Sequence, residues 1–140
     1  MRGMSGIVPT PVERTDIAVR YVQVKDELSE IRMAWPELEA AVGSLKGRRF
    51  LAAFDPTEGW YRACVEIGPD VTTSERALPE AVVPGGRFLR IRLRGTPPGV
   101  YDEIAPAYTL LETSASRDDS RPSLEHYRRV DLIDVLMPVS

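Results

Sequence analysis

One cysteine, Cys64, and one histidine, His126, occur in the 140 residues of this chain. A single cysteine excludes an intramolecular disulfide. One Cys and one His cannot assemble a zinc site of the Cys/His type, and no metal or cofactor is expected. With one histidine and no motif around a serine, a Ser-His-Asp triad is excluded as well. No stretch approaches the ~20 apolar residues of a membrane-spanning helix. Nor does Met1 to Asp16 hold the apolar run of roughly 7–15 residues that a signal peptide needs. The expected location is therefore cytoplasmic, with no membrane partner. Positive charge is not in excess. The formal net charge is -3, which argues against nucleic acid as a partner. Gly-rich phosphate loops are missing too, and Gly85-Gly86 reads as a turn.

Apolar residues are not scarce. Their 43% share is ordinary for a globular protein, and the length suits one domain. Residues 1–15, rich in Gly, Pro, Ser, Thr and charge, read as a flexible tail. Ile17 to Val24 is the first predicted strand. A helix follows, with Ile31, Ala34/Trp35, Leu38, Ala41/Val42 and Leu45 on one stripe and Gly47 as its stop. Pro36 would break a helix begun at Ser29, so the regular part is expected from about Trp35. Arg49 to Phe54 and Trp60 to Ile67 are strands joined by the turn Asp55-Pro56-Thr57-Glu58-Gly59. In the later one Tyr61, Ala63, Val65 and Ile67 share a face opposite Arg62, Cys64 and Glu66. Residues 69–86 read as a connection. The pattern then restarts with strand Phe88 to Arg94, helix Tyr101 to Thr113 capped by Asp102, strand Ser123 to Arg129 and strand Leu132 to Val139.

This order, strand-helix-strand-strand, occurs twice, as repeat one (16–68) and repeat two (87–140). Glu30-Ile31 and Trp35 of the first match Glu103-Ile104 and Tyr108 of the second, each 73 positions on (30 to 103, 35 to 108). The same offset sets Phe54 against Tyr127, and Ala52 against Glu125. Two such units predict an α+β fold of tandem pseudo-symmetric repeats. An antiparallel sheet would carry two helices on one face, with a groove between them. Trp35 and Tyr108 would wall the groove, and Glu125 and Tyr127 would floor it. Alternation puts Glu125 and Tyr127 on one strand face and Leu124 and His126 on the other, without saying which face is inside. Outward, Glu125 is an ordinary strand residue paired with an arginine. Inward, it is a carboxylate in an apolar interior, a placement usually kept for a ligand or a reaction.

The runs Pro84-Gly85-Gly86-Arg87-Phe88, Arg94-Gly95, Tyr101-Asp102-Glu103-Ile104-Ala105-Pro106-Ala107-Tyr108, Leu124-Glu125-His126-Tyr127 and Met137-Pro138-Val139, with Ala63-Cys64-Val65-Glu66-Ile67, resemble the GyrI-like small-molecule-binding family. This is the AraC-type effector-binding domain. The resemblance covers roughly Ile17 to Val139. It implies one domain over residues 16–140 with a central pocket. In multidrug-responsive regulators of the family a buried glutamate on the strand matched by Glu125 holds lipophilic cations among aromatic rings. Some stand-alone members are similar to hydrolases of cyclopropane-bearing alkylators, and others bind DNA gyrase. This chain shows no helix-turn-helix segment and is not expected to read an operator. Before its first helix it carries Lys25-Asp26-Glu27-Leu28 rather than the family's Gly-Pro-like break.

The expected partner is a lipophilic small molecule, cationic or electrophilic, bound for sensing or sequestration by a monomer or homodimer. Trp35, Phe54, Tyr108, Glu125 and Tyr127 would form its site, with Tyr101 and Tyr21 as further candidates and Trp60 near a groove end. The alternative is a hydrolase in which Glu125 is general acid/base and Tyr127 or Tyr108 orients the substrate. A gyrase-interacting role is a third reading. His126 is expected on the solvated face, as are Arg90, Arg92 and Arg94. Cys64 reads as a small, partly buried hydrophobe.

Overall fold

Strands with apolar residues on both faces, such as Phe50–Asp55 and Leu132–Pro138, need cover on both sides, and the fold provides it. In the computed structural model, which describes residues 6–140, the elements are β1 (Thr10–Arg14), β2 (Ile17–Lys25), α1 (Leu28–Val42), β3 (Phe50–Asp55), β4 (Trp60–Glu66), α2 (Thr73–Arg76), β5 (Glu80–Val83), β6 (Gly86–Arg94), α3 (Ile104–Ser114), β7 (Ser123–Arg129) and β8 (Leu132–Pro138). A 3-10 turn, Gly99–Glu103, leads into α3. All strands pair antiparallel in one curled sheet, ordered β1-β6-β8-β7-β3-β4-β2-β5. The predicted α+β class and tandem repeat are present. β2-α1-β3-β4 and β6-α3-β7-β8 are the two units, and they meet along β3 and β7.

The meeting line fixes where the pseudo-twofold axis passes. Ala52 pairs with Glu125 across β3 and β7. These two residues are also related by the 73-residue offset, so they are both neighbours and equivalents. Only the pair on the axis of an antiparallel repeat meets both conditions. The one carboxylate in question thus lies at the centre of the molecule, opposite a methyl group.

Helices α1 and α3 cover one sheet face. Ala34, Leu38 and Val42 of α1 pack on Val22, Ala52, Tyr61, Ala63 and Val65. Ala107 and Leu111 of α3 pack on Ile91, Leu93, Ile133, Val135 and Met137. The other face curls over a third apolar cluster that includes Leu51, Ala53, Cys64, Phe88, Leu124 and Leu136. Cys64 is fully buried here, and burial pushes its thiol up to about 12, so it is an inert hydrophobe rather than a nucleophile.

Five expectations are corrected. First, the stretch 1–15 is not all tail: Thr10–Arg14 is an edge strand paired with β6, while residues 1–5 lie outside the described residues. Second, residues 69–86 hold α2 and β5 rather than a bare connection, and β5 pairs with β2. The two edges mirror each other, because the strand leading each unit crosses to the other unit. Gly85 makes the crossing possible. A Cβ there would lie 2.3 Å from the Arg14 carbonyl oxygen, and its N–H donates to Asp16 Oδ1 at 2.7 Å. Third, α1 runs unbroken through Pro36. That residue is exposed, and burial of Ala34, Leu38 and Val42 on the opposite side outweighs the missing backbone bond. Fourth, the stop is Gly43, at φ 79°, whose N–H donates to the Glu39 carbonyl, rather than Gly47. Fifth, helix α3 begins later than expected. Asp102 falls in the 3-10 turn and makes no cap.

Candidate functional site

Between α1 and α3 the floor of the sheet belongs to β3 and β7. Alternation turns Phe50, Ala52 and Phe54 of β3, with Glu125 and Tyr127 of β7, toward the helices. Glu125 keeps 8% of its area exposed. Tyr127 Oη donates to its Oε1 at 2.6 Å. Among the described residues no cation approaches the carboxylate and no second donor reaches it. Burial raises its pKa to about 7; the Tyr127 hydrogen bond pulls the other way, and the charge of Asp26 adds to the rise.

Six of the chain's ten aromatic residues gather here, so a scarce resource is spent on one site. The Trp35 ring meets Tyr127 edge-on at 5.3 Å and Phe50 at 6.3 Å. Phe54 meets Tyr108 edge-on at 4.9 Å and stacks on Tyr61 at 6.3 Å. Edge-on pairs suit the ring quadrupoles and hold the walls in place. Two polar tethers fix their angle. Trp35 Nε1 donates to Tyr61 Oη at 2.9 Å, and Tyr108 Oη donates to the Leu124 carbonyl at 2.7 Å. Burial, then the Glu125 charge, raises the Tyr61, Tyr108 and Tyr127 phenols above their ordinary range, so all three stay protonated donors.

Of the residues expected in the groove, Trp35, Phe54, Tyr108, Glu125 and Tyr127 are brought together. Tyr21 and Trp60 are not. Both lie on the opposite face, where the Arg62 guanidinium sits 4.2 Å from the Tyr21 ring centroid and 4.4 Å from that of Trp60. Pairing explains it: Tyr21 stands opposite Cys64, which points into the other core. Tyr101, in the 3-10 turn, is 48% exposed and joins none of the ring pairs among the described residues. Three contributors escaped the sequence reading of the site. Tyr61 was legible as sharing a strand face with Ala63 and Val65, but nothing in the pattern tied that face to the groove. Phe50 is the cross-strand partner of Tyr127, which only the register reveals. Asp26 stands at the entry to α1; burial raises its pKa, and its charge is felt at Glu125 and Tyr108.

The rings pack against each other over the carboxylate. Neither of two surface cavities, one at the end of α3 and one lined by Arg48, Arg49, His126, Tyr127 and Arg128, is lined by Glu125. Glu125 is buried among these rings, two of which, Trp35 and Tyr108, are each tethered by one hydrogen bond. None of the site's side chains forms a metal-ligand cluster among the described residues.

No protein-family model and no curated protein matches the chain. Solved structures do. The chain is similar to the integron cassette protein VCH_CASS2 from the mobile metagenome of Vibrio cholerae, with TM-score 0.74 and 14% identity over 99% of this chain and 97% of that one. It is also similar to SAV2435 in a structure bound to tetraphenylphosphonium, with TM-score 0.65 and 11% identity over 96% of this chain and 94% of that one. A hydrolase from Listeria innocua aligns with TM-score 0.56 and 15% identity over 94% and 91% of the two chains. These likenesses establish the fold. They say that a similar fold serves proteins of differing description, so function has to be argued from the site. No helix among the described residues is long and apolar enough to cross a membrane.

Proposed function

We propose that this protein is a GyrI-like small-molecule binder that takes a lipophilic cation into the groove between α1 and α3. One observation carries the reading: Glu125 is a buried carboxylate with, among the described residues, a single tyrosine donor and no cation. A structural carboxylate in the same chain looks different. Glu75 is equally buried but is gripped by Arg48 at 2.6 and 2.8 Å and by Arg20 at 3.3 Å. Glu125 lacks such a grip, and a guest's positive charge supplies what is missing. The surrounding rings add a cation–π attraction of about 2 kcal/mol once the guest is desolvated. The likeness to SAV2435, a protein seen with a lipophilic phosphonium, supports the choice of guest. Titration with tetraphenylphosphonium at pH 8, followed calorimetrically, tests it. Saturable binding that weakens about tenfold or more in Glu125→Gln is expected; equal binding by parent and variant would defeat the reading.

A second reading rests on the same residue. A carboxyl that titrates near neutral pH can take or give a proton, so Glu125 would be the general acid/base of a hydrolase, with Tyr127 orienting the substrate. The likeness to the Listeria protein described as a hydrolase supports it. Its test is a mass-spectrometric search for a hydrated product after incubation with a cyclopropane-bearing electrophile. More than one product per protein molecule establishes turnover, and no product leaves binding alone.

A further inference from the structure

The face of the sheet opposite the groove carries a second concentration of charge. Asp134 of β8 is fully buried. Arg92 of β6 donates to both of its oxygens, at 2.7 and 3.0 Å. Arg14 of β1 reaches Oδ2 at 3.5 Å, and Arg128 of β7 stands 3.8 Å away. Arg90 projects from β6 on the same face and acts electrostatically on both Asp134 and Arg14. Next to them lies His126, the cross-strand partner of Asp134, 3.9 Å from Glu66 and within the influence of Arg49. Arg49, His126 and Arg128 line a surface cavity together with Arg48 and with Tyr127 of the groove.

Charge and hydrogen bonding are both out of balance here. Five guanidiniums, of Arg14, Arg49, Arg90, Arg92 and Arg128, face two carboxylates, Asp134 and Glu66. In a chain of net charge -3 this crowding of one sign is local. The Nε atoms of Arg14 and Arg90 are buried and have no hydrogen-bond partner among the described residues. A buried donor without an acceptor is costly, and like charges brought together on a partly dehydrated face add to the cost. Burial, and then the charges of Arg128, Arg90 and Arg92, hold the Arg14 guanidinium below its ordinary value against the pull of Asp134.

We infer that this arginine cluster is a binding site for a phosphate group, on the sheet face opposite Glu125. Guanidinium forks present paired N–H donors to tetrahedral oxyanions, and a dianion offers acceptors to several forks at once. A carboxylate is the weaker candidate, since Asp134 already fills that role and still leaves donors over. Inorganic phosphate is the probe, against sodium chloride and sodium acetate at equal ionic strength and pH 7.5. Phosphate at about ten times its dissociation constant is expected to raise the Tm by about 4 °C over both reference salts. The lone histidine gives a second readout: burial first, and then the charges of Arg128, Arg14 and Arg49, hold the His126 titration low, and bound phosphate raises its NMR midpoint by offsetting those charges. Arg90→Gln is expected to weaken the phosphate response about tenfold while holding or raising the Tm in chloride, because one of several like charges is removed. A purely structural Arg90 would lower that Tm instead. Exposed Arg76→Gln should respond to phosphate as the parent does. Equal Tm and equal His126 titration in phosphate and chloride would overturn the site. An equal response to acetate would overturn the phosphate class, and an undiminished response in Arg90→Gln would remove the cluster as its seat.

Discussion

Glu125 and Asp134 sit on neighbouring strands, are both buried, and point to opposite faces of one sheet. Their surroundings are inverted. For Asp134, burial alone would raise the pKa. The Arg92 hydrogen bonds and the charges of Arg92, Arg90 and Arg128 outweigh it, and the carboxyl ends below its ordinary value. For Glu125 burial is opposed by one tyrosine only, and the carboxyl ends near 7. The pair contrasts a carboxylate that closes a fold with one that, on the function proposed above, is kept for a guest. The former is matched by cations of its own chain. The latter is left short of them where apolar side chains keep water out.

The largest expected effect breaks the matched partner. Asp134→Asn leaves Arg14, Arg92 and Arg128 converging on a neutral amide. Removing one member of a buried charge cluster costs about 3–5 kcal/mol. Chemical denaturation at pH 7.5 should show a loss of that size, and a loss under about 1 kcal/mol would mean the cluster is not held by this residue. Glu125→Gln should do the opposite. The folded pKa is raised above the unfolded value, so the contribution to stability is complete below the unfolded pKa of 4.5 and is lost as pH rises toward 7. A shift of this size is worth about 3 kcal/mol at pH 8. Relative to the parent, the Gln variant should be more stable at pH 8 and lose that advantage by pH 4.5. The comparison must be of variant minus parent. His126, held low by burial and by Arg128, Arg14 and Arg49, destabilises the fold as pH falls below 6.5 in both proteins. Cation binding should follow ionisation of Glu125 and strengthen from pH 5.5 to 8.

How much of this contrast was readable in the residues alone differs between the two faces. The groove side was legible because period-two alternation put Glu125 and Tyr127 together, and the 73-residue offset placed Ala52 opposite. The structure makes that equivalence a direct cross-strand pair. The arginine side was not legible. Arg90 and Arg92 alternate with Leu89, Ile91 and Leu93, the usual signature of a solvated face. Asp134 lies 42 residues beyond Arg92, and nothing local announces that the sheet curls to bury it. His126 shares that fate: it is on the expected face, yet its side chain is only 14% exposed. Edge strands β1 and β5 escaped for a related reason. Each pairs with a strand of the other unit, so their partners are set by topology rather than by a hairpin. Pro36 shows the reverse error, where a strong local breaker lost to tertiary packing.

A smaller effect sharpens the contrast on the groove side. Tyr127→Phe keeps the ring beside Trp35 but removes the only donor to Glu125 among the described residues. A hydrogen bond to a charged group contributes about 1.5–3 kcal/mol, or roughly one to two pKa units. The Glu125 carboxyl should titrate that much higher, read by ¹³C NMR of the labelled side chain. Lipophilic-cation binding at pH 7 should weaken because less of the site is ionised, and should recover at pH 9. Weakening that persists at pH 9 would mean that Tyr127 touches the guest itself.

The smallest expected effect tests whether the two faces act separately. Tyr21 stands opposite Cys64 and lies under the Arg62 guanidinium, across the sheet from the groove. Tyr21→Phe keeps the ring, the stacking partner and the packing on the far core, and deletes one half-buried hydroxyl. Surface changes of this kind stay within about 0.5 kcal/mol. Tetraphenylphosphonium affinity should be unchanged within a factor of about two. The strands between the two faces are filled with side chains on both sides, so a guest on the helix side has no path to Tyr21 without unpairing β2 from β4. A tenfold loss of affinity in this variant would place the guest on the opposite face, beneath Arg62, and would detach Glu125 from the binding it is proposed to govern.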